Sequence, residues 1–337
     1  MATGYVVSRE SPAFGRTVTG DTDGSSEARL NLPDSGPQPR GSCQRFKDRR
    51  PRHRNLGATQ FATKEGVGHA DFGMAKEQKT MSKTYAIADL HGRFDLLEMA
   101  LARITERAEP PATVVTLGDY VDRGPDSRKI IERLMAGLEG WRLICLKGNH
   151  EDIMWQTCRR LPDVDWWLTN GGGATLISYG QQVGDQADVA VVPASHLDWV
   201  ERLPLMYVDT HRVFVHAGID PNCPLDEQDA EDIVWKIYPD DDDSGHLQRH
   251  VVHGHHQHPH GPIFKKNRTN LDTLAWYTGR LAIGVFDDAA PGGPIEVFEV
   301  NGEPIEKILS SRRSISSLAT KRRADEVKQP RGFTRHF

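Results

Sequence analysis

The chain has few cysteines and no long hydrophobic run. Only four cysteines occur in 337 residues, and none form a Cys-x-x-Cys pair, so the sequence does not predict a thiolate zinc site. No apolar stretch approaches the ~20 residues that a membrane-spanning helix needs. The N-terminus also lacks an apolar segment followed by a small-residue cleavage site. We therefore expect a cytoplasmic protein without a membrane partner.

Net positive charge is also absent. The formal net charge is -5, from 42 Lys and Arg against 47 Asp and Glu. Because affinity for phosphate backbones comes from basic surface, this argues against a specific nucleic-acid partner. Hydrophobic residues make up 37% of the chain and charged residues 26%, which are ordinary values for a globular protein.

Residues 1–80 differ in composition from the rest of the chain. They are rich in Gly, Ser, Pro, Thr and charge without apolar periodicity, so we expect a disordered N-terminal extension. A basic run from Arg40 to Arg54 fits a solvated tail or, alternatively, an arm that binds nucleic acid or membrane. A compact domain would begin near Met81 or Met74, so a third interpretation is that the segment is not part of the natural protein. We expect a domain over residues 81–305 and a disordered tail over residues 306–337.

Short apolar strands alternate with helices from Tyr85 onward. We predict the first three strands at residues 85–88, 113–117 and 142–146. The helix after the first strand has apolar residues three and four positions apart, as in Phe94, Leu97 and Leu101. This alternation predicts parallel pairing. Beyond Pro204 we predict more strands and assign them to a second sheet, stacked on the first: residues 206–208, 213–215, 251–252, 281–286 and 295–300.

Each of the first three strands runs into a polar cluster. The clusters are Asp89-Leu90-His91-Gly92, Gly118-Asp119-Tyr120-Val121-Asp122-Arg123-Gly124 and Gly148-Asn149-His150-Glu151. The carboxyl ends of strands in an open α/β sheet face one crevice, so we expect these side chains to converge. Carboxylate, imidazole and amide oxygen suit a first-row divalent metal. The sequence therefore predicts a metal site at the strand ends.

These clusters resemble the signature of the calcineurin-like metallophosphoesterases, in particular the bacterial and phage relatives of the serine/threonine protein phosphatases. The resemblance spans roughly residues 85–300 and continues in Trp167–Gly172, Ala174–Gly180, Val215–Pro221, Val252–His255 and Tyr277–Leu281. It implies an α/β fold of the four-layer sandwich type, in which two stacked mixed β-sheets are flanked by helices. The active site would lie at the carboxyl ends of the strands, and residues 81–305 would be the catalytic domain.

The resemblance also implies a site with two divalent metal ions. The ligands would be Asp89, His91 and Asp119 for the first ion, and Asp119, Asn149, His216 and His255 for the second. Mn²⁺ is the expected metal, while Fe, Zn, Ni and Co tolerate similar ligands. Two such ions activate a water and clamp the phosphoryl oxygens during in-line displacement.

Three further residues match catalytic positions of the family. His150 would be the general acid that protonates the leaving oxygen. Asp122 would pair with His150, since a nearby negative charge favours the imidazolium. Arg123 would bind the phosphate through its planar fork of donors, together with Asn149 and His150.

The sequence departs from the family pattern at two places. The family's Asp-Thr-Gly reads Asp272-Thr273-Leu274 here, so we expect a different backbone at Leu274. The relatives also carry a phosphate-binding Arg two residues after a Trp, whereas Trp235 is followed by Lys236 and Ile237. The candidate replacements are Lys236, Arg249 and Arg280.

The resemblance leaves the substrate open. The leading expectation is metal-dependent phosphomonoester hydrolysis by a serine/threonine protein phosphatase, with a phosphoprotein or a phosphorylated small molecule as its partner. The alternatives are a hydrolase of dinucleoside polyphosphates such as diadenosine tetraphosphate, and an inactive module that binds metal or phosphate. Segments 157–198 and 235–248 are expected to line the outer pocket. Trp166, Trp167 and Trp199 are interpreted as packing residues or, alternatively, as a substrate platform. Oligomeric state is not predicted.

Overall fold

The structure, a computed structural model, describes residues 5–7, 82–160 and 164–310, and it contains two β-sheets with flanking helices. The strands are β1 Tyr5–Val7, β2 Lys83–Ile87, β3 Thr113–Thr116, β4 Arg142–Cys145, β5 Met206–Val208, β6 Arg212–Val215, β7 His250–His253, β8 Ile263–Phe264, β9 Arg268–Asn270, β10 Arg280–Asp287 and β11 Glu296–Asn301. The helices are α1 Phe94–Arg107, α2 Ser127–Met135, α3 Asn149–Arg160, α4 Val164–Thr169, α5 Gly172–Ser178, α6 Ala194–Glu201, α7 Ala230–Trp235 and α8 Ala275–Thr278. In these described ranges no helix is both long and apolar enough to cross a membrane.

The first sheet has five strands in the order β11–β10–β2–β3–β4. Strands β2, β3 and β4 pair in parallel, as predicted. However, β10 pairs antiparallel with β2, and β11 pairs antiparallel with β10. The prediction that placed residues 281–286 and 295–300 in the second sheet was therefore wrong, because apolar alternation identifies a buried strand but not its partner.

The second sheet has the order β1–β5–β6–β7–β9–β8. Within it β6, β7 and β9 pair in parallel, and the remaining pairs are antiparallel. Both sheets are thus mixed, and the predicted fold class is confirmed.

Alternating side chains build three apolar cores between four layers. Tyr85 and Ile87 of β2 enter the core beneath the helices, together with Leu97 of α1. Their neighbour Ala86 faces the other way, into the core between the sheets, where it joins Phe214 of β6. A third core lies on the far face of the second sheet, where Val213 and Val215 of β6 are grouped with Ile233 of α7.

Two short stretches lie within the segments predicted to be disordered. Residues 5–7 form β1, which pairs with β5 and places Tyr5 opposite Val208. Residues 305–310 are helical; the helix begins at Ile305, which is buried and is the last residue of the predicted domain, and residues 306–310 lie in the predicted tail. Strand β1 pairs with the edge that β5 would otherwise leave open, and the predicted disorder of the two segments stays a prediction. The other residues of both segments lie outside the described ones.

Candidate active site

Five strands deliver the predicted site residues at their carboxyl ends. Strands β2, β3 and β4 lead into the loops with Asp89, Asp119 and Asn149, while β6 and β7 lead into His216 and His255. Of the seven described non-glycine residues with positive φ, five are predicted site residues: His91, Asp119, Asp122, Arg123 and His255. Such a conformation costs about 1–2 kcal/mol per residue, and it persists only where surrounding bonds hold it.

Asp119 lies at the centre of the site and is 2% exposed. Its Oδ2 is 3.4 Å from His91 Nε2, and its Oδ1 is 3.4 Å from His216 Nε2. Within the described residues, two groups of possible ligand atoms lie within 4.8 Å of one another, and Asp119 belongs to both. The groups are His91, Asp119 and His150, and Asp119, His216 and His255. A carboxylate that joins two metal positions needs this placement.

The histidines of these groups are arranged as neutral ligands. Nδ1 of His91 donates to the carbonyl oxygen of Val121 at 2.9 Å, and Nδ1 of His216 donates to that of Leu117 at 2.9 Å. Each neutral ring therefore turns its Nε2 lone pair towards Asp119. Burial lowers the pKa of His91, His216 and His255, which favours the neutral imidazole that binds metals.

The amide of Asn149 points its oxygen at acceptors. Its Oδ1 is 2.9 Å from His216 Nε2, whose lone pair faces it. Among the described residues only acceptor atoms surround this oxygen, and an amide turned by half a rotation would instead donate to His216, His255 and Asp119. The oxygen of Asn149 and these acceptor atoms all carry negative partial charge, so they repel one another unless a cation lies between them. The residues present therefore fit a metal ion.

Asp89 lies beside these groups without belonging to either. Its carboxylate accepts the backbone N–H of His255 at 3.1 and 3.2 Å. Burial raises the pKa of Asp89 well above its usual range, and repulsion from Asp272 and Asp119 adds to the rise. Burial alone would also raise the pKa of Asp119, but the surrounding histidines, His216 first, lower it overall. Buried carboxylates of this kind call for compensating cations.

His150 and Asp122 form a buried pair. Nδ1 of His150 is 2.7 Å from Asp122 Oδ2, and Asp122 is 0% exposed. Nε1 of Trp167 donates to both carboxylate oxygens of Asp122, at 3.0 and 3.1 Å, and Thr175 Oγ1 donates to Oδ1 at 2.7 Å. These donors fix the carboxylate and thus the orientation of the His150 ring.

Trp167 and Thr175 were missed as functional residues. Trp167 was interpreted as a packing or platform residue; its ring is buried, as packing requires, but its N–H also binds Asp122. The only signal was that both residues lie in segments that resemble the family, where no role was assigned to them. Their contact with Asp122 spans about 50 residues of sequence, so it could not be read from local pattern.

Arg123 places its fork of donors between two histidines. Nη1 lies 2.7 Å from His91 Nε2, and Nη2 lies 2.9 Å from His150 Nε2. The backbone N–H of Arg123 donates to the carbonyl of Gly171 at 3.1 Å, and its guanidinium carbon lies 5.7 Å from the Trp276 ring. Its positive charge therefore lies inside the site, between His91 and His150.

Glu151 joins two of the site loops. Its carboxylate accepts four backbone N–H groups at 2.7 to 3.2 Å, those of Asp119, Tyr120, Val121 and Gly148. The first three belong to the loop after β3 and the last to the loop after β4. Sequence reasoning gave this residue no role, although its position beside Asn149 and His150 was visible.

The structure describes the residues at both departures from the family pattern. Leu274 has φ 55° and ψ 43°, the left-handed conformation that glycine favours, and the predicted difference from the family's backbone stays a prediction. Arg280 binds Glu299 and the carbonyl of Pro259, and Arg249 binds the carbonyl of Asp209. Lys236 therefore remains the candidate replacement for the family's second Arg, and its Nζ lies 5.9 Å from the centre of the Tyr238 ring.

An aromatic wall lies next to the group of possible ligands formed by Asp119, His216 and His255. We use this term for Trp166 and Trp235, whose rings lie 6.2 Å apart and are inclined by 32°. Trp235 lies edge-on to His255 at 6.0 Å, and Trp166 is 47% exposed. The wall brings together the two segments that were expected to line the outer pocket.

The sequence of this chain matches a known family over most of the described domain. The family model described as calcineurin-like phosphoesterase matches residues 82–286. The chain therefore belongs to the calcineurin-like phosphoesterase family, a family whose members depend on a dinuclear metal centre.

Curated relatives of two kinds share this domain. Serine/threonine-protein phosphatase 1 of Salmonella typhimurium is 30% identical over 42% of this chain and 61% of its own length. A symmetrical bis(5'-nucleosyl)-tetraphosphatase of Janthinobacterium sp. is 28% identical over 41% of this chain and 44% of its own length. The chain thus spans about half the length of these relatives.

The solved structures to which this chain is similar include a protein serine/threonine phosphatase from Saccharomyces cerevisiae. It is 17% identical, with a TM-score of 0.44, and the match covers 68% of this chain and 83% of that one.

Proposed function

We propose that the protein removes phosphate from phosphoserine and phosphothreonine side chains of proteins. One observation carries this proposal: Asp119 joins two groups of candidate ligands beside the buried pair of His150 and Asp122. The ligands we propose are Asp89, His91 and Asp119 for one ion, and Asp119, Asn149, His216 and His255 for the other. When bound, two ions at these residues would lower the pKa of a water and offset the charge of the phosphoryl oxygens.

The residues around the ions have separate tasks in this proposal. Arg123, whose fork already points at His91 and His150, turns its donors to two phosphoryl oxygens and orients the group. Asp122 holds the Nδ1 side of His150, so that His150 Nε2 faces the substrate and delivers a proton to the leaving oxygen. Lys236 supplies a further positive charge in place of the family's second Arg. Mn²⁺ remains the expected metal.

A second candidate function is the hydrolysis of dinucleoside polyphosphates such as diadenosine tetraphosphate. The aromatic wall favours this second function, because a nucleobase stacks on exposed aromatic rings. The Trp235 ring of the wall lies 6.0 Å from the His255 ring. The relatives named as bis(5'-nucleosyl)-tetraphosphatases support it as well. The metal positions alone serve both substrates, because they contact only the phosphoryl groups.

The test measures turnover of the purified protein, stripped of metal and then supplied with Mn²⁺. A phosphoserine peptide and diadenosine tetraphosphate are compared side by side. Release of phosphate from the peptide alone supports the protein phosphatase, and preferential cleavage of the dinucleotide moves the function to the second candidate. Hydrolysis of neither would favour the remaining alternative, an inactive module that binds metal or phosphate.

A further inference from the structure

The strongest unexplained group near the site is the carboxyl of Asp272. This side chain is 2% exposed. Its Oδ1 accepts the N–H of Leu274 at 2.8 Å, but its Oδ2 has no hydrogen-bond partner among the described residues. A buried carboxylate oxygen without a partner is costly and calls for an explanation.

Electrostatic and packing relations connect Asp272 with Asp89 and His91. Its charge acts on Asp89, whose pKa is raised by burial first and by Asp272 next. The segment that follows Asp272 reaches Arg123 through the Trp276 ring, 5.7 Å from the guanidinium carbon, and Arg123 in turn contacts His91. Burial raises the pKa of Asp272 itself to about 7, which the N–H of Leu274 opposes and Asp119 reinforces.

The backbone around Asp272 is built to hold it there. Leu274 keeps a left-handed conformation without being glycine, and this turn directs its N–H at Asp272 Oδ1. The N–H of Asp272 donates to Asn270 Oδ1 at 2.9 Å, and its carbonyl accepts the N–H of His258 at 3.1 Å. The side chain is therefore fixed, and Oδ2 alone is left for another partner.

We infer that Asp272 is an additional anionic residue of the first metal position, which it shares with Asp89, His91 and Asp119. Its orphan oxygen serves that ion, either as a ligand or by accepting a hydrogen bond from water on the ion. Asp272 thereby increases the affinity of this position and not of the position formed with Asn149, His216 and His255. This inference rests on the proposed metal sites.

The test is a Mn²⁺ titration of the metal-free protein, with free Mn²⁺ followed by electron paramagnetic resonance. The variant is Asp272→Asn, which keeps an acceptor for Leu274. We expect two ions to bind the wild type, and one of them to bind the variant about 10–100-fold more weakly. The exposed Asp185→Asn, which changes net charge equally, should leave both affinities unchanged. The melting temperature of metal-free Asp272→Asn should be equal to or higher than that of the wild type, because repulsion with Asp89 is removed.

The possible results distinguish a failure of this inference from a failure of the proposed metal sites on which it rests. A variant with both affinities unchanged overturns the inference, and so does one that melts at a lower temperature and loses both ions equally, since that marks a structural residue. A wild type that binds no ions overturns the proposed metal sites themselves. If Asp272→Asn fails to fold, Asp272→Ser keeps an acceptor near Leu274 and serves the same titration.

Discussion

The metal positions and the aromatic wall are two neighbouring regions that are built in different ways. The metal positions consist of side chains, all buried except the half-buried His255, on loops that contain residues with positive φ, and hydrogen bonds hold them, as the carbonyl of Val121 holds His91. The wall consists of two rings from separate segments, one of them 47% exposed. We therefore propose that the strand-end loops determine the reaction type, and that the choice of substrate depends on the wall, whose side chains can vary without disturbing those loops.

The largest expected effect comes from Asp119→Asn, which should abolish turnover on every substrate. Asp119 belongs to both groups of ligands, so its loss should weaken the binding of both ions. Each ion contributes several kcal/mol, or about a thousandfold in rate, and the loss of both should leave no measurable turnover. Metal content and turnover of p-nitrophenyl phosphate are measured together, with Asp185→Asn as the control. Wild-type turnover in the variant would contradict the proposal that Asp119 is a ligand shared by both ions.

The next effect should come from His150→Gln, with kcat reduced by about 10²–10⁴-fold while both ions stay bound. A general acid matters most when the leaving group is basic. The loss should therefore be larger for a phosphoserine peptide than for p-nitrophenyl phosphate. Equal losses on the two substrates would argue that His150 does not deliver the proton.

A smaller effect is expected for Trp167→Phe, which keeps the buried ring but loses its hydrogen bonds to Asp122. A hydrogen bond to a charged group is worth about 1.5–3 kcal/mol, so kcat should fall roughly tenfold or more with metal content unchanged. Trp199→Phe, at a ring packed 6.0 Å from Tyr120, is the matched control. Equal kcat values in the two variants would show that Trp167 contributes only packing and that its hydrogen bonds to Asp122 do not affect the reaction.

The smallest and most selective effect should come from Trp166→Ala in the aromatic wall. Stacking of a base on an aromatic ring is worth about 1–3 kcal/mol, so KM for diadenosine tetraphosphate should rise about tenfold, with no change for p-nitrophenyl phosphate. Phe264→Ala, at another exposed aromatic residue, is the control. If both substrates respond equally, the wall is part of the same functional unit as the metal positions, and the comparison above breaks down.

The sequence predicted local features well because each was carried by a local pattern. Strands β2, β3 and β4, the apolar face of α1 and the polar clusters at strand ends were all visible in short windows. Which sheet receives β10 was not visible, since Leu281 and Ile283 fix only the face they bury. The hydrogen bonds from Trp167 and Thr175 to Asp122 depend on contacts between distant segments. Tertiary packing decides these features, and no window of sequence contains it.

The four bonds of Glu151 have a consequence for how such sites are recognised. Because one carboxylate ties the loop after β3 to the loop after β4, the protein itself sets the distance between Asp119 and Asn149. Loss of Glu151 would leave four buried N–H groups without an acceptor, and the two loops would separate. A relative that kept all six candidate ligands but lacked this glutamate would look complete in an alignment and still fail to hold two ions at a working distance.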